Sequence, residues 1–443
     1  VHIVLLSPKG PLYRHRGGIL RRSLRYSPLT LPTLASLVPP ELDATVEIID
    51  EGIEDIPLDL KADLVGITAI TGSAPRAYEL SAALRARGLP VVLGGPHPTL
   101  VPEDAAPHAD AVVTGYAEDT WPELLRDFAA GRMRSRYHQA DGLSLANRPL
   151  PRMDLVKPEH YTTTAVFEAT RGCVHKCEFC VVPSAWGRRP YQKPVEDVVR
   201  EIRARNTKKA LFVDLNIVAD PTHARKLFDA LTPLGLRWFG LATTVLAHDD
   251  DLLDRMVRSG CRGLLIGFET LSADALAGAN KQFNRPDGYA ALVEKLHRRG
   301  VAVQGTFVFG LDEDHADVFR RTVDFCVESG IDLPRFSIQT PFPGTELYRR
   351  LERENRITTR NWELYDGQHV VYRPANLTAQ ELLTGHEWAW KEVYSLKNIA
   401  RRLGKARQLL QIAIPANLGY RYYAHHLHTH YNCDTFASWD RAA

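Results

Sequence analysis

Two successive series of short apolar segments, each followed by a stretch of helical period, set the strongest limit on how this chain can fold. A strand that reaches its neighbour through a helix runs parallel to it, so such a series builds a parallel sheet covered by helices. In the first series, strand patterns fall at 2–6, 46–49, 64–67, 91–93 and 111–114, with helical patterns at 29–37, 74–87 and 121–129. Five strands with helical crossovers predict a Rossmann-like or flavodoxin-like domain over residues 1–140. A polar stretch over 141–160, with Pro149, Pro151 and Pro158, has no strong periodicity and reads as a linker. The second series has strands at 165–169, 210–214, 237–241, 263–267, 302–309 and 335–338, with helices at 195–205, 221–231, 250–259, 286–300 and 316–330. Six β/α units over 161–354 predict an open, partial TIM-type barrel, whose chemistry sits at the C-terminal ends of its strands. From 355 to 443 the pattern turns helical and aromatic, with Trp362, Trp388, Trp390, Tyr394, Tyr420, Tyr422 and Tyr423. A small C-terminal helical domain is expected there, its aromatics packing a core in preference to lidding a ligand. The whole is an α/β chain with a helical end.

Composition removes several classes. With 55 basic and 53 acidic residues the formal net charge is +2, which argues against a nucleic-acid partner held by bulk charge. No apolar run approaches the ~20 residues needed to span a bilayer, so no transmembrane segment is expected. The opening Val1-His2-Ile3-Val4-Leu5-Leu6 lacks the basic start and long apolar core of a signal peptide, and a cytoplasmic protein is expected. Of six cysteines, three crowd into eight positions, while Cys261, Cys326 and Cys433 are scattered. That spacing suits a metal or cluster site in a reducing compartment, not a disulfide scaffold. Cys261 and Cys326 read as small core residues, and Cys433 has no evident role.

The crowded cysteines lie in Arg171-Gly172-Cys173-Val174-His175-Lys176-Cys177-Glu178-Phe179-Cys180, directly after the first barrel strand. Thiolates are soft ligands, and several on one short loop hold iron–sulfur clusters. Three of them would leave one iron of a cubane open. Zinc is the alternative; it would want a fourth ligand, and only His175 lies between the thiols. Gly172 lets the backbone fold closely, and Phe179 is placed to shield a cluster from water.

This C-x-x-x-C-x-x-C spacing at the head of a barrel resembles the radical S-adenosylmethionine (SAM) superfamily. The resemblance implies a 4Fe–4S cluster on Cys173, Cys177 and Cys180, with SAM bound at the open iron and cleaved to a 5′-deoxyadenosyl radical. It also implies a small-molecule substrate and an electron donor such as flavodoxin or ferredoxin. Other strand ends fit the same pattern. Asp214 and Asn216 resemble the position that meets the SAM amino group, though a loop cap explains them equally. Glu269, in Gly267-Phe268-Glu269-Thr270, resembles the acid that contacts SAM, with a helix-capping role as the alternative. Gln304 resembles the fifth-strand residue beside the adenine, and Gln339-Thr340-Pro341-Phe342-Pro343-Gly344 the element closing the SAM pocket. Arg188, Arg189 and Lys193 either offset the cluster's charge or form a solvated basic surface.

The chain order, a Rossmann-like domain followed by a radical SAM barrel, resembles the cobalamin-binding-domain class, which includes hopanoid-modifying and bacteriochlorophyll-cyclase-like proteins. Gly94 and Gly95, in Val91-Val92-Leu93-Gly94-Gly95-Pro96-His97-Pro98, resemble the glycine pair lining the cobalamin nucleotide tail, and Thr68 and Thr71 stand where related domains place a hydroxyl. The D-x-H-x-x-G motif that supplies a cobalt-binding histidine is missing. That region reads Ser7-Pro8-Lys9-Gly10-Pro11-Leu12-Tyr13-Arg14-His15-Arg16-Gly17-Gly18, with His15 isolated. Cobalamin then binds without a protein histidine, or the domain is a scaffold. Radical C-methylation is the first functional expectation. Radical dehydration, rearrangement or cyclisation, as on an aminoglycoside diol, is the second. A structural zinc protein is the third. No catalytic residue beyond the cluster ligands is identified.

Overall fold

The computed structural model describes residues 1–10, 26–57, 59–140, 142–405 and 409–427; His15 and Cys433 lie outside them. The first series forms one parallel sheet of β1 (His2–Ser7), β2 (Thr45–Asp50), β3 (Leu64–Thr68), β4 (Val91–Gly94), β5 (Ala111–Thr114) and β6 (Arg136–His138). Helices cover both faces, so β1 and β3 read as continuous apolar runs rather than alternating ones. Their side chains still divide with period two. Val4, Leu6, Val65, Ile67 and Leu93 enter one core, while Ile3, Leu5, Leu64, Val92 and Val113 enter the other. The sixth strand is a finding. Its three residues, Arg-Tyr-His, bury only Tyr137 and are too few to display a period. The spatial order β2-β1-β3-β4-β5-β6 reverses direction beside β1. In such sheets a ligand crevice opens outside the carboxyl ends of the strands at the switch point.

The second series follows as β7 (Val166–Phe167), a small antiparallel pair β8 (Thr170–Arg171) and β9 (Tyr191–Gln192), then β10 (Lys209–Phe212), β11 (Arg237–Ala242), β12 (Cys261–Glu269), β13 (Ala302–Phe309) and β14 (Arg335–Ile338). The large sheet runs β14-β13-β12-β11-β10-β7, all parallel, and its two edge strands do not pair with each other, so the barrel stays open. Alternation is clear here: in β13, Val303, Gly305, Phe307 and Phe309 are buried, while Gln304, Thr306 and Val308 are half-buried. The former pack toward the outer helices in the largest core of the molecule.

The C-terminal helices are Ala379–Val393, Leu396–Lys405 and Leu410–His425. They begin later than the sequence pattern suggests. Before them Ile357 bridges Tyr372 in antiparallel fashion, around a short 3-10 turn at Trp362–Leu364. Trp390, Tyr394, Ile399 and Leu403 join the barrel's core instead of closing one of their own. Trp390 donates its indole N–H to the Phe336 carbonyl (3.1 Å) and Tyr394 its hydroxyl to the Pro334 carbonyl (2.7 Å). The helices thereby cover the edge strand β14, which would otherwise offer an open ladder. The aromatics pack as expected, with the Tyr394 and Tyr420 rings stacked 5.4 Å apart.

Candidate active site

The cysteine loop is pinned at both ends. Asp214, just past β10 and fully buried, accepts the backbone N–H of Thr170 (2.5 Å) and of Ala169 (3.1 Å). Burial, aided by Glu168, outweighs these donors and pushes the Asp214 carboxyl up to about 7. Asn216 accepts the N–H of Val218 (3.3 Å) with its side-chain oxygen and shapes its own turn. Both side chains thus fasten the loop through backbone N–H groups, the capping role that the sequence offered beside a SAM contact. Further along, the Glu178 N–H donates to the Ala279 carbonyl (3.0 Å), and the Glu178 carboxylate receives Arg350 (2.6 Å) from the helix Glu346–Arg353.

Beside the thiols lies a buried ion pair that the sequence reading half missed. Glu269, at the end of β12, pairs with Lys281. Glu269 holds a left-handed φ of 67°, and the ladder to β13 shifts register there. Non-glycine residues in that conformation cost roughly 1–3 kcal/mol and cluster at functional sites. Gly267 makes room for the pair: a Cβ on it would sit 2.3 Å from a Glu269 carboxylate oxygen and 3.0 Å from the Lys281 Nζ. Burial opposes the Lys281 charge, but Glu269 and the thiols of Cys177 and Cys180 more than offset it and hold the ammonium charged. Its Nζ also lies over the rings of Phe179 (5.9 Å) and Phe283 (5.6 Å), and Phe283 stacks on His175 at 3.7 Å. Lys281 stands twelve positions beyond Glu269 in a polar run without periodicity, so no local signal marks it.

Cys173, Cys177 and Cys180 are free thiols. Burial pushes Cys177 up to about 12, against the pull of Lys281, and raises Cys180 as well. Thiols so desolvated become good thiolates only when a cationic centre binds them. That chemistry, three soft donors on one loop beside one ammonium, fits an iron–sulfur cluster. Among the described residues, no group of three or more His, Cys, Asp or Glu is gathered as for a single metal ion.

Gln304 is not part of this assembly. It is the third residue of β13, about 17 Å below the strand's carboxyl end at ~3.3 Å per residue. Its amide donates to the Tyr420 hydroxyl (3.3 Å) on a C-terminal helix. The motif match placed it beside the adenine; the strand's length puts it at the other end. Lys193 is committed to Glu201, while Arg188 and Arg189 are exposed.

A cavity of about 320 Å³ lies between the carboxyl ends of the two sheets. Leu34, Leu37, Val92, Val113 and Trp121 give it an apolar floor, and Thr68, Gly94 and Gly95 line it, with Arg171, Trp186 and Leu215 from the barrel side. Gly95 has φ +97°, and a Cβ there would lie 2.6 Å from the Thr68 hydroxyl, so this close approach demands glycine. An apolar slot with a few polar groups at the carboxyl ends of β3, β4 and β5 fits a bulky cofactor tail. His97 does not face it. Fully buried, its ring meets Thr71 (3.3 Å) through Nδ1, and Tyr78 (3.1 Å) and Asp104 (3.0 Å) through Nε2.

Arg171, two residues before Cys173, fastens the two domains. It pairs with Glu118 from the first domain and with Glu168 (2.6 Å) from the barrel. Burial works against its charge, yet the two carboxylates hold the guanidinium charged. It lies over the Tyr116 ring (5.2 Å), which stacks on Trp186 (5.5 Å) and meets Tyr191 edge-on. Its partner Glu118 is 53 residues away, so no local sequence pattern marks Arg171 for this role.

Known proteins carry the same two parts. Residues 41–125 match the B12 binding domain and residues 167–326 the Radical SAM superfamily. The chain is 33% identical over 388 residues to bacteriochlorophyllide d C-12(1)-methyltransferase of Chlorobaculum tepidum, covering 85% of this chain and 84% of that one. It is 31% identical over 409 residues to the C-8(2)-methyltransferase of the same organism, covering 87% and 89%. Among solved structures, the radical SAM methyltransferase TsrM from Kitasatospora setae, with cobalamin and [4Fe-4S] cluster bound, superposes with a TM-score of 0.65 at 18% identity, covering 80% of this chain and 78% of that one. An inactive zinc module is thereby set aside. The chain is a radical SAM enzyme of the class with an N-terminal B12-binding domain, and that pair of domains implies a 4Fe–4S cluster and SAM and supports cobalamin.

Proposed function

We propose that the enzyme is a cobalamin-dependent radical C-methyltransferase acting on an apolar, bacteriochlorophyllide-like macrocycle. The observation that carries this reading is the cavity walled by both sheets' carboxyl ends, which puts the slot for a cofactor tail and the cysteine loop on one seam. Large apolar side chains stand exposed after the strand ends: Ile70 (52%), Val174 (40%), Leu215 (44%) and Val245 (42%). Exposed apolar groups just beyond the strands' carboxyl ends suit an apolar substrate. The nearby relatives named for bacteriochlorophyllide methylation point the same way.

In this reading Cys173, Cys177 and Cys180 hold the cluster, which when bound supplies the single electron that cleaves SAM. Glu269 and Lys281 offer paired charges to the zwitterionic methionyl end of SAM, and the strained Glu269 backbone aims its carboxylate. Asp214 and Arg350 keep the loop from drifting. Gly94, Gly95 and Thr68 line the slot for the cobalamin tail. Tyr116, Trp186 and Tyr191 close the seam against water, which would otherwise quench reactive species. A flavodoxin or ferredoxin in a reducing cytoplasm would serve as electron donor.

The test is anaerobic reconstitution with iron, sulfide and cobalamin, then incubation with SAM, reductant and bacteriochlorophyllide d. The expected result is cobalamin uptake seen by visible absorption and a product one methylene heavier. Cys177→Ala should abolish cluster absorbance and 5′-deoxyadenosine together. SAM cleavage without cobalamin uptake would replace methylation by radical dehydration or rearrangement.

A further inference from the structure

Helix Leu410–His425 is built inside out. Its buried residues are Ala413, Asn417 and Ala424, and Asn417 accepts from Arg402 (2.8 Å) and donates to the Asp332 carbonyl (3.1 Å). Its outward residues are mostly apolar: Leu410 is 38% exposed, Ile412 55%, Ile414 47%, Leu418 50% and Tyr422 42%, with Gln411 and His425 the exposed polar ones. Leu410, Ile414, Leu418 and Tyr422 recur every fourth residue and so form one stripe. A helix at the surface of a globular protein turns its apolar stripe inward. Here it faces out, and the helix carries a single Lys or Arg, Arg421.

Charge says what covers the stripe. Between Val393 and Cys433 the sequence holds Lys397, Arg401, Arg402, Lys405, Arg407 and Arg421, and no Asp or Glu. Arg402 is buried, while Lys397, Arg401 and Lys405, again spaced by four, stand exposed on the adjoining helix Leu396–Lys405, where Leu396 is 61% exposed; of these Lys405 donates to the Glu328 carbonyl (2.6 Å), which leaves Lys397 and Arg401 as the outward cations. An apolar stripe beside a cationic row on a segment without Asp or Glu, the carboxylate just before it being Glu392 bonded to Asn398 (2.9 Å), has the chemistry of a segment that lies in a headgroup region. A two-fold pairing of copies would set this same cationic patch against itself, with no carboxylate on the segment to answer it. No helix among the described residues is long and apolar enough to cross a membrane.

We propose that helices 396–405 and 410–425 seat the enzyme on the surface of an anionic lipid bilayer, the stripe at the acyl boundary and the Lys/Arg row against lipid phosphates. The test is sedimentation of the full, cluster-reconstituted chain with vesicles of phosphatidylcholine alone or mixed with phosphatidylglycerol. Binding to the mixed vesicles should be roughly tenfold tighter or more, and raised salt should weaken it. The pair Ile414→Asp with Leu418→Asp, and separately Lys397→Glu with Arg401→Glu, should each release the protein while cluster absorbance and SAM cleavage persist. Those two readouts show that the variants fold. Four results overturn the proposal: no sedimentation with either vesicle, equal binding to both, a solution dimer that Leu418→Asp makes monomeric, or binding that appears only once residues 428–443 are removed.

Discussion

The two sheets turn carboxyl ends of opposite character toward each other. The first ends in space: Gly94, Gly95 and Thr68 line a slot floored by Val92, Val113 and Trp121. The second ends in buried charge: Asp214 on the loop backbone, Glu269 on Lys281, and Arg171 shared between Glu168 and Glu118. On the proposed reading a cofactor's bulky tail would be taken up by shape, because apolar burial is not directional. A charged cluster and a zwitterionic sulfonium must be met by fixed charges, which gain strength where water is excluded. One edge is tuned by removing side chains and the other by pairing them. Substitutions at the two edges should therefore fail in different ways.

The largest effect is expected where a charge loses its partner. In Lys281→Met, the largely covered Glu269 is left with nothing to pair, and breaking a buried pair costs about 3–5 kcal/mol. Thermal unfolding should drop accordingly, and SAM affinity should collapse. Adding Glu269→Gln to it should restore much of the stability but not SAM binding. If the single variant binds SAM normally, the charged-edge reading is wrong. At the other edge, Gly94→Leu should fill the slot instead of breaking the fold. A Cβ at Gly94 meets only the Val113 carbonyl and side chain at 3.6 and 3.7 Å, an ordinary contact. Cobalamin uptake should fall at least tenfold while SAM cleavage is kept. Loss of both activities together would mean that the edges do not act separately.

Legibility divides along the same line. The slot edge could be read from sequence because its message is local: a strand, a glycine pair and an apolar run on consecutive residues. The cysteine loop was legible for the same reason. The charged edge was not. Arg171 and Glu118, or Glu269 and Lys281, become partners only through the crossovers that bring them together, and a lone Lys in a polar run looks like a solvated one. Asp214 and Asn216 show why the two readings stood level in the sequence, for a strand-end position is shared by ligand contacts and loop fasteners alike. β6 was missed because three residues carry no period, and the late start of the C-terminal helices because Ile357 and Tyr372 pair across 15 residues.

Asp214 gives a smaller and pH-dependent contrast. Its carboxyl titrates at about 7 in the folded protein, against about 3.9 when unfolded. Between those values the folded state holds a proton that the unfolded state has released. Stability from this group is therefore full below the unfolded value and declines as pH rises through the folded one. Asp214→Asn cannot ionise and still offers an oxygen to the Ala169 and Thr170 N–H groups. The difference between wild type and variant in urea midpoint should shift in the variant's favour between pH 5 and pH 8. A difference that is flat with pH would mean that the carboxylate is charged throughout and that the backbone donors dominate burial.

The smallest effect is expected at Gln304, and it decides between motif and geometry. Gln304→Ala removes one half-buried hydrogen bond to Tyr420, worth about 0.5–1.5 kcal/mol of stability. Because β13 holds this residue near its amino end, far from Glu269 and the cysteine loop, the dissociation constant for SAM should not move. A tenfold weakening of SAM binding with unchanged thermal stability would place the cofactor deep in the barrel, where the resemblance put it. It would also mean that the charged edge is only the rim of a longer site. An unchanged constant leaves charge at the strand ends as the determinant of SAM recognition and gives Gln304 to the fit of the C-terminal helix beneath the sheet.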